Sequence, residues 1–186
     1  MLFQEIGWTR LITVIIAQSI VAAVFLFLSF KVLKRKRTRL SFICTGIFLP
    51  IALAFIINLI YLPLSVNPLV FVLYIITFFL ILLANIFILL FNINLAKSKF
   101  EFTLKKQLFA FVILSIVAFL ILLIPGGIRI DESTNWSPIW NLFEMVVVLL
   151  FATICLIVPS LFFSLKIYKI FQDVVMKKKW RFYLIG

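Results

Sequence analysis

Five long apolar runs dominate this chain, and their length limits what it can fold into. Each is about 20 residues or longer, the length that an α-helix needs to cross the hydrocarbon core of a bilayer. The runs are continuous and do not alternate between apolar and polar residues, so they do not indicate a β-barrel. We therefore predict an all-α, polytopic transmembrane helix bundle, with spans at about 11–31, 40–62, 69–95, 106–125 and 138–165.

The overall composition supports this class. Hydrophobic residue types make up 66% of the 186 residues, and charged types make up only 13%. An ordinary soluble domain has about 45–50% and about 25% of these types, respectively. The net charge of +12 could suggest a nucleic-acid partner. However, the basic residues form short clusters at the ends of apolar runs, as in loops that flank a membrane, so we expect no nucleic acid.

The basic clusters also predict an orientation. Of the 18 lysines and arginines, all but Arg10 and Arg129 lie in the first connection, in the third connection or after the fifth span. The positive-inside rule makes these segments cytoplasmic. We therefore expect a plasma (cytoplasmic) membrane, with the N-terminus outside and the C-terminus in the cytoplasm. The residues predicted to contact anionic lipids of the inner leaflet are Lys34, Arg35, Lys36, Arg37, Lys177, Lys178 and Lys179.

The segment after the fifth span has a pattern of its own. Apolar residues recur at helical spacing through 166–180, with charges on the opposite face, which predicts an amphipathic basic helix at the inner face. This helix either lies on the leaflet or extends the fifth helix and turns back toward the membrane. Residues 180–186 resemble the start of a truncated sixth span, and the alternative is a stable five-helix protein. The whole chain, 1–186, is predicted to form a single transmembrane domain.

Proline and glycine predict where helices break. The fourth span should end at Pro125–Gly127, where these residues cannot continue a helix. The fifth span should begin with Ser137 as its N-cap and Pro138 at the first helical position. Pro50 and Pro159 lie inside spans and are expected to kink their helices.

The sequence contains no arrangement of residues typical of an enzyme. It has no histidine, which removes the commonest general base and metal ligand. Cys44 and Cys155 lie within apolar runs, where we expect packed thiols and not a disulfide or a metal site. No two carboxylates share a span, and no phosphate-binding loop is present. We predict a non-enzymatic protein without catalytic residues, metal or cofactor.

One charged residue, Glu144, lies inside a predicted span. It stands about 9 Å from the outer end of that span at 1.5 Å per residue. A charge at this position costs free energy and is by default a functional candidate. Gln18 and Asn58 lie at a similar depth in the first two spans. Together the three residues predict a small polar pocket open to the outside, and ordinary interhelical hydrogen bonding, or a Glu144 that reaches the interface, is the alternative.

Two further polar sets accompany this candidate pocket. Arg129, Asp131 and Glu132 lie in the loop above it and could form its outer rim. Thr77, Asn85 and Asn92 lie roughly along one face of the third span and should mark its bundle-facing side.

Two stretches carry a resemblance to known proteins, "GGIRIDESTNWSPIW" and "KIYKIFQDVVMKKKWRFYLIG". They resemble uncharacterised archaeal multi-pass membrane proteins. Those proteins are loosely similar to the first five helices of seven-helix membrane input modules of sensor proteins. The resemblance implies a sensory context and carries over no functional residue.

We therefore predict a sensory or signalling membrane module with a small outward-facing polar pocket. The alternatives are a small transporter or channel subunit, and a structural or assembly subunit. A transporter should show repeats, broken helices and midplane polar groups. Partner membrane helices, or further copies of this chain, are the other expected partners.

Overall fold

The computed structural model describes residues 15–35, 38–64, 66–96, 103–134, 136–170 and 174–185. The helices in these ranges are α1 Ala17–Arg35, α2 Arg39–Tyr61, α3 Asn67–Ala96, α4 Leu104–Leu122, α5 Leu142–Leu150, α6 Val158–Ile170 and α7 Val174–Ile185. A π-helical segment, Phe151–Ile157, joins α5 to α6. Two short strands, β1 Ile128–Arg129 and β2 Ile139–Trp140, pair between α4 and α5, and Glu132–Thr134 forms a 3₁₀ turn.

The predicted all-α bundle with five membrane-length helices is confirmed. Within the described residues, five helices are long and apolar enough to cross a membrane: Ala17–Lys34, Arg39–Tyr61, Pro68–Ala96, Leu104–Leu122 and Leu142–Ile170. Large apolar side chains cover much of the bundle exterior, with Phe109 and Leu142 about 70% exposed. A surface of this kind suits contact with lipid and not with water. At the level of class, the chain is a multi-pass membrane protein.

Helix α3 forms the centre of the bundle. It packs against α2, α4, α6 and the π-helical segment, whereas α1 packs mainly against α2. The main apolar cluster includes Leu82, Ile86 and Leu89 of α3, together with residues of α4 and of the fifth span. Small residues such as Ala52 and Ala84 are almost completely buried. Such residues let helices approach closely where no hydrophobic effect drives them together.

The fifth span begins at Leu142, four residues later than the predicted start at 138. Ile128 pairs with Trp140 and Arg129 with Ile139, so the residues that should have opened the helix form an antiparallel strand instead. The prediction that Ser137 and Pro138 cap this helix is therefore wrong. The N-cap is Asn141, whose side chain accepts a hydrogen bond from the Phe143 backbone N–H at 3.2 Å.

The two internal prolines have different surroundings. Pro50 is buried within the continuous helix α2. Pro159 is the second residue of α6, just after the π-helical segment, and there the Val158 N–H donates to the Thr153 carbonyl, five residues earlier. Proline removes an N–H and crowds the preceding helical turn, and a π-bulge is one of the ways in which helices accommodate such a break.

The two ends of the bundle differ in structure. We call the end that carries residues 62–66 and 123–141 the hairpin end, and the end that carries residues 38–39, 103–107 and 166–170 the basic end. At the basic end α7 folds back along α6. The Trp180 indole N–H donates to the Ser164 carbonyl at 2.9 Å, and Lys177 lies 5.8 Å from the Tyr168 ring centroid.

This return corresponds to the second of the two arrangements predicted for the tail, an extension that turns back. The boundaries differ from the predicted 166–180, because α6 continues to Ile170 and α7 begins at Val174. The 180–186 stretch, predicted to open a further span, falls within α7 up to Ile185.

Candidate functional site at the hairpin end

Glu144 lies in the first turn of α5 and is completely enclosed by the protein. Its exposed fraction is 0%, although neighbouring residues Phe143 and Met145 are exposed. The side chain therefore points into the bundle and not into lipid. The enclosing structure is the strand pair, which folds over this end of the bundle with Ile128 and Ile130 buried against α3.

The Glu144 carboxylate is not explained as a helix cap. A glutamate three residues after the N-cap often accepts a hydrogen bond from the N-cap backbone N–H. Here the Asn141 N–H donates instead to the Gly127 carbonyl at 2.6 Å. Neither carboxylate oxygen of Glu144 has a hydrogen-bond partner among the described residues. The backbone still stabilises the Glu144 carboxylate in one way, because the carboxylate lies near the positive end of the helix dipole.

Gly127 makes room for this carboxylate. A Cβ atom at position 127 would lie 1.2 Å from Glu144 Oε2 and 2.1 Å from its Cδ. An alanine at this position would therefore force the Glu144 carboxylate to move. The adjacent Gly126 is required for conformation, because its φ of +76° lies in the left-handed region while no described atom lies within 4 Å of its Cβ position.

A cluster of aromatic side chains lies at the same end of the bundle. The Trp140 indole N–H donates to the Tyr74 hydroxyl at 2.9 Å, and the Trp140 and Phe78 rings lie 4.8 Å apart. Tyr74 lies within electrostatic range of Glu144. Glu144 is thus buried with one phenol within electrostatic range, and a buried charge without a hydrogen-bond partner is costly.

Two of the three residues predicted to form the polar pocket are joined by a hydrogen bond. The Asn58 side-chain amide donates to the Gln18 carbonyl oxygen at 2.7 Å, which joins α2 to α1. Glu144 makes no hydrogen bond to either of them, since its oxygens have no partner within the described part of the chain. Gln18 and Asn58 therefore form a pair that links two helices, and Glu144 is not hydrogen-bonded to this pair.

The predicted rim residues bind one another on the exposed face of the strand pair. Arg129 Nε contacts Asp131 Oδ2 at 2.5 Å, and Ser133 donates to Asp131 Oδ1 at 2.5 Å. These hydrogen bonds, first Ser133 and then Arg129, lower the pKa of Asp131. Glu132 is exposed on the same loop. The residues that face the bundle are Ile128 and Ile130, so this trio does not line the Glu144 site.

The predicted polar face of the third span has two kinds of contact. Asn92 reaches across to α6, where its amide donates to Ser160 Oγ at 2.6 Å. Thr77 and Asn85 instead donate to carbonyls of their own helix, at Leu73 and Ile81.

A polar network at the basic end escaped the sequence analysis. Arg39 Nε donates to the Gln107 side-chain oxygen at 2.8 Å, and the Gln107 amide donates to Asn94. The network connects α2, α4 and α3, and Gln107 is only 6% exposed. The sequence signal was weak, because Gln107 and Asn94 stand beside basic loops where polar residues are expected.

The residues predicted to contact inner-leaflet lipid are described only in part. Lys34, Lys178 and Lys179 are exposed, and Lys177 is partly buried against Tyr168. Lys36, Arg37 and the side chain of Arg35 lie outside the described residues.

The cysteines and potential metal ligands give no indication of a metal centre. Cys44 and Cys155 are free thiols, each partly buried. Within the described residues, no group of three or more His, Cys, Asp or Glu side chains could hold a metal ion. Comparison of the chain with family models, with curated proteins and with solved structures finds no match.

Proposed function

We propose that this chain is a non-enzymatic membrane module of sensory or signalling type, in which Glu144 receives a small cation, of which the proton is the smallest. The observation that carries this proposal is the enclosed Glu144 carboxylate without a hydrogen-bond partner among the described residues. An unpaired buried charge costs free energy, and a proton or a cation bound to it removes that cost. The site therefore has two states that the surrounding bundle can distinguish.

The fifth span provides a physical connection from this site to the opposite end. One continuous helical path runs from Leu142 to Ile170 and includes the π-helical segment Phe151–Ile157. Helix α7 contacts the far end of this path through Ser164 and Tyr168. A change at Glu144 that tilts or rotates the fifth span would therefore displace α7. The resemblance to sensor input modules is in keeping with this role.

The proposal includes an orientation. The hairpin end would face outside and the basic end, with α7, would face the cytoplasm of a plasma-membrane protein. The clustering of lysine and arginine at the basic end supports this assignment. Glu144 would then respond to the external medium, and α7 would present the response to a cytoplasmic partner.

A distance measurement across the basic end tests the proposal. In a background with Cys44→Ser and Cys155→Ser, spin labels are placed at Lys105→Cys on α4 and Met176→Cys on α7, and the protein is reconstituted in nanodiscs. We expect the label–label distance distribution to shift as pH or cation concentration is varied. Glu144→Gln should abolish the shift, because the amide is isosteric but cannot ionise.

The matched control is Glu132→Gln, which removes an exposed carboxylate from the same end of the bundle. It should leave the shift intact. A parent protein with no shift, or a shift that survives Glu144→Gln, would overturn the proposal.

A second candidate function is a small transporter or channel subunit. The π-helical segment between α5 and α6 lies near the middle of the fifth span, next to a cavity of about 150 Å³ lined in part by Asn85 and Ser160. Polar groups near the bilayer midplane are typical of transporters. Cation flux in proteoliposomes that Asn85→Leu abolishes would favour this function. A structural or assembly subunit predicts neither flux nor a distance shift.

A further inference from the structure

A groove opens on the side of the bundle at the basic end, between α2 and α4. Its volume is about 620 Å³, within the range of about 300–1,000 Å³ that small-molecule sites occupy. The rim residues Phe42, Leu104 and Leu108 are more than half exposed, whereas Ile43 and Leu90 at the base are buried. The groove is therefore open to the surrounding medium at its rim and closed at its base, where Ile43 of α2 and Leu90 of α3 are buried.

The groove is apolar along its length and polar at one end. Phe87, Leu90 and Phe111 contribute to its apolar lining, and Arg39 and Gln107 are its two polar lining residues. Arg39 and Gln107 are bonded to each other, so the guanidinium is held in place at the mouth of the groove. A fixed cation at one end of an apolar channel matches an amphiphile with a long apolar part and an anionic head.

The surroundings of the polar end are strongly positive. Lys105 and Lys106 are exposed in the first turn of α4, next to Gln107. Neither α2 nor α4 has an acidic residue in its first turn, and both helices begin at this end. Their dipoles place partial positive charge there, which adds to the side-chain charges.

We propose that this groove binds one anionic phospholipid, with an acyl chain between α2 and α4 and its phosphate at Arg39. The position suits a lipid, because the groove opens on a side of the bundle that the membrane covers and Arg39 stands where the membrane-spanning helices α2 and α4 begin. The guanidinium of arginine is well suited to contact phosphate oxygens. This site differs from the predicted lysine contacts on the surface, since it is a shaped groove with a defined end.

Gly46 allows the Phe87 ring, which lines the groove, to pack closely against α2. A Cβ at this position would lie 2.5 Å from Cδ1 and Cε1 of Phe87, so glycine allows the Phe87 ring to lie flat against α2. Phe87 also contacts Phe111 with ring centroids 5.1 Å apart. A larger residue at 46 would push the Phe87 ring toward the space that the acyl chain occupies.

Photolabelling in nanodiscs tests the proposal. The protein is reconstituted in phosphatidylcholine that contains a trace of phosphatidylglycerol with a diazirine on its acyl chain, and in parallel the labelled lipid is phosphatidylcholine. We expect labelled phosphatidylglycerol to crosslink to peptides of α2 and α4, and to do so more than labelled phosphatidylcholine. Arg39→Gln should lower this preference about fivefold, the effect of one basic residue near a membrane surface.

Two matched controls separate the groove from the general surface. Lys169→Gln removes one charge at the same end but on α6, and it should leave crosslinking to α2 and α4 unchanged. Leu108→Trp should block the groove and suppress crosslinking, whereas Leu120→Trp, on the same helix with nearly the same exposure, should not.

The contrary outcomes are equally specific. Equal labelling by the two lipids, crosslinks confined to other helices, or identical results for Leu108→Trp and Leu120→Trp would each overturn the proposal. Competition by millimolar inorganic phosphate would also overturn it, because it would assign the polar end to free anions. These results are independent of the Glu144 proposal, which concerns the opposite end.

Discussion

The buried Gln107 amide and the buried Glu144 carboxylate lie at opposite ends of the bundle and differ in their hydrogen bonds. At the basic end, the buried amides of Gln107 and Asn92 each have a partner on another helix. At the hairpin end, the buried carboxylate of Glu144 has none among the described residues, although hydrogen-bond donors are common in the nearby loop. Asn141, for example, gives its backbone N–H to Gly127 instead.

This difference separates structural from functional polarity. A buried amide with its hydrogen bonds made contributes modestly to stability and fixes which helices meet. A buried carboxylate without partners contributes nothing of this kind and is a cost. Features that break the rules of stable packing are expected at functional sites. Glu144 is therefore the candidate functional residue, and Gln107 links helices.

The largest expected effect concerns the close contact between Gly127 and Glu144. Gly127→Ala should lower the free energy of unfolding by about 3 kcal/mol, because the new Cβ would occupy the space of the carboxylate. Glu144→Ala in the same chain should restore most of this loss by vacating that space. The measurement is a double-mutant cycle on stability, by steric trapping in mixed micelles.

Gly126→Ala provides the control for this cycle. It strains the backbone at φ +76° and should cost about 1–2 kcal/mol. Glu144→Ala should not rescue it. Equal rescue of both glycine variants would mean that Glu144 is not the group that Gly127 accommodates.

A pair of substitutions to leucine should have opposite signs at the two ends. Gln107→Leu should lower the free energy of unfolding by about 1–2 kcal/mol, because the partners on Arg39 and Asn94 lose their bonds. Glu144→Leu should raise it by about 1–3 kcal/mol, because an unpaired polar group is removed from an apolar site. Thermal denaturation in one detergent would measure both, and a destabilised Glu144→Leu would erase the contrast.

The smallest expected effect concerns the exposed face of the strand pair. The hydrogen bonds from Ser133 and Arg129 lower the pKa of Asp131. Their stabilisation is therefore present above the unfolded pKa, about 3.9, and is lost as pH falls through the lower folded value. Asp131→Asn should speed hydrogen exchange at the Thr134 backbone N–H, because this N–H donates a hydrogen bond to Asp131 Oδ1. The difference from the parent should vanish at pH values below the folded pKa, and a difference that persists there would contradict this account.

The sequence predicted the bundle well for a simple reason. A run of apolar residues must be buried in lipid or protein, and its length sets the length of the helix. The sequence also indicates that Gln18 and Asn58 lie at a similar depth, because depth along a helix can be counted from its end, and the two side chains are hydrogen-bonded. Such properties depend on one segment at a time.

The missed features depend on two segments at once. The sequence predicts that Ile139 and Trp140 lie at the start of a helix. They form a strand because they pair with Arg129 and Ile128. That same pairing folds the loop over Glu144 and encloses it, so the depth counted along the fifth span described the wrong environment. The Arg39–Gln107 bond likewise joins residues 68 positions apart, which no local pattern indicates.

The π-helical segment sets the rotational phase of the fifth span. Its buried positions include Phe151 and Leu156, a step of five residues where an α-helix would step by three or four. Deletion of one residue within 151–157 would rotate everything that follows by about 100° relative to Glu144. Ser160 would then turn away from Asn92. A single extra residue in the π-helical segment therefore sets the orientation of α6 relative to α5.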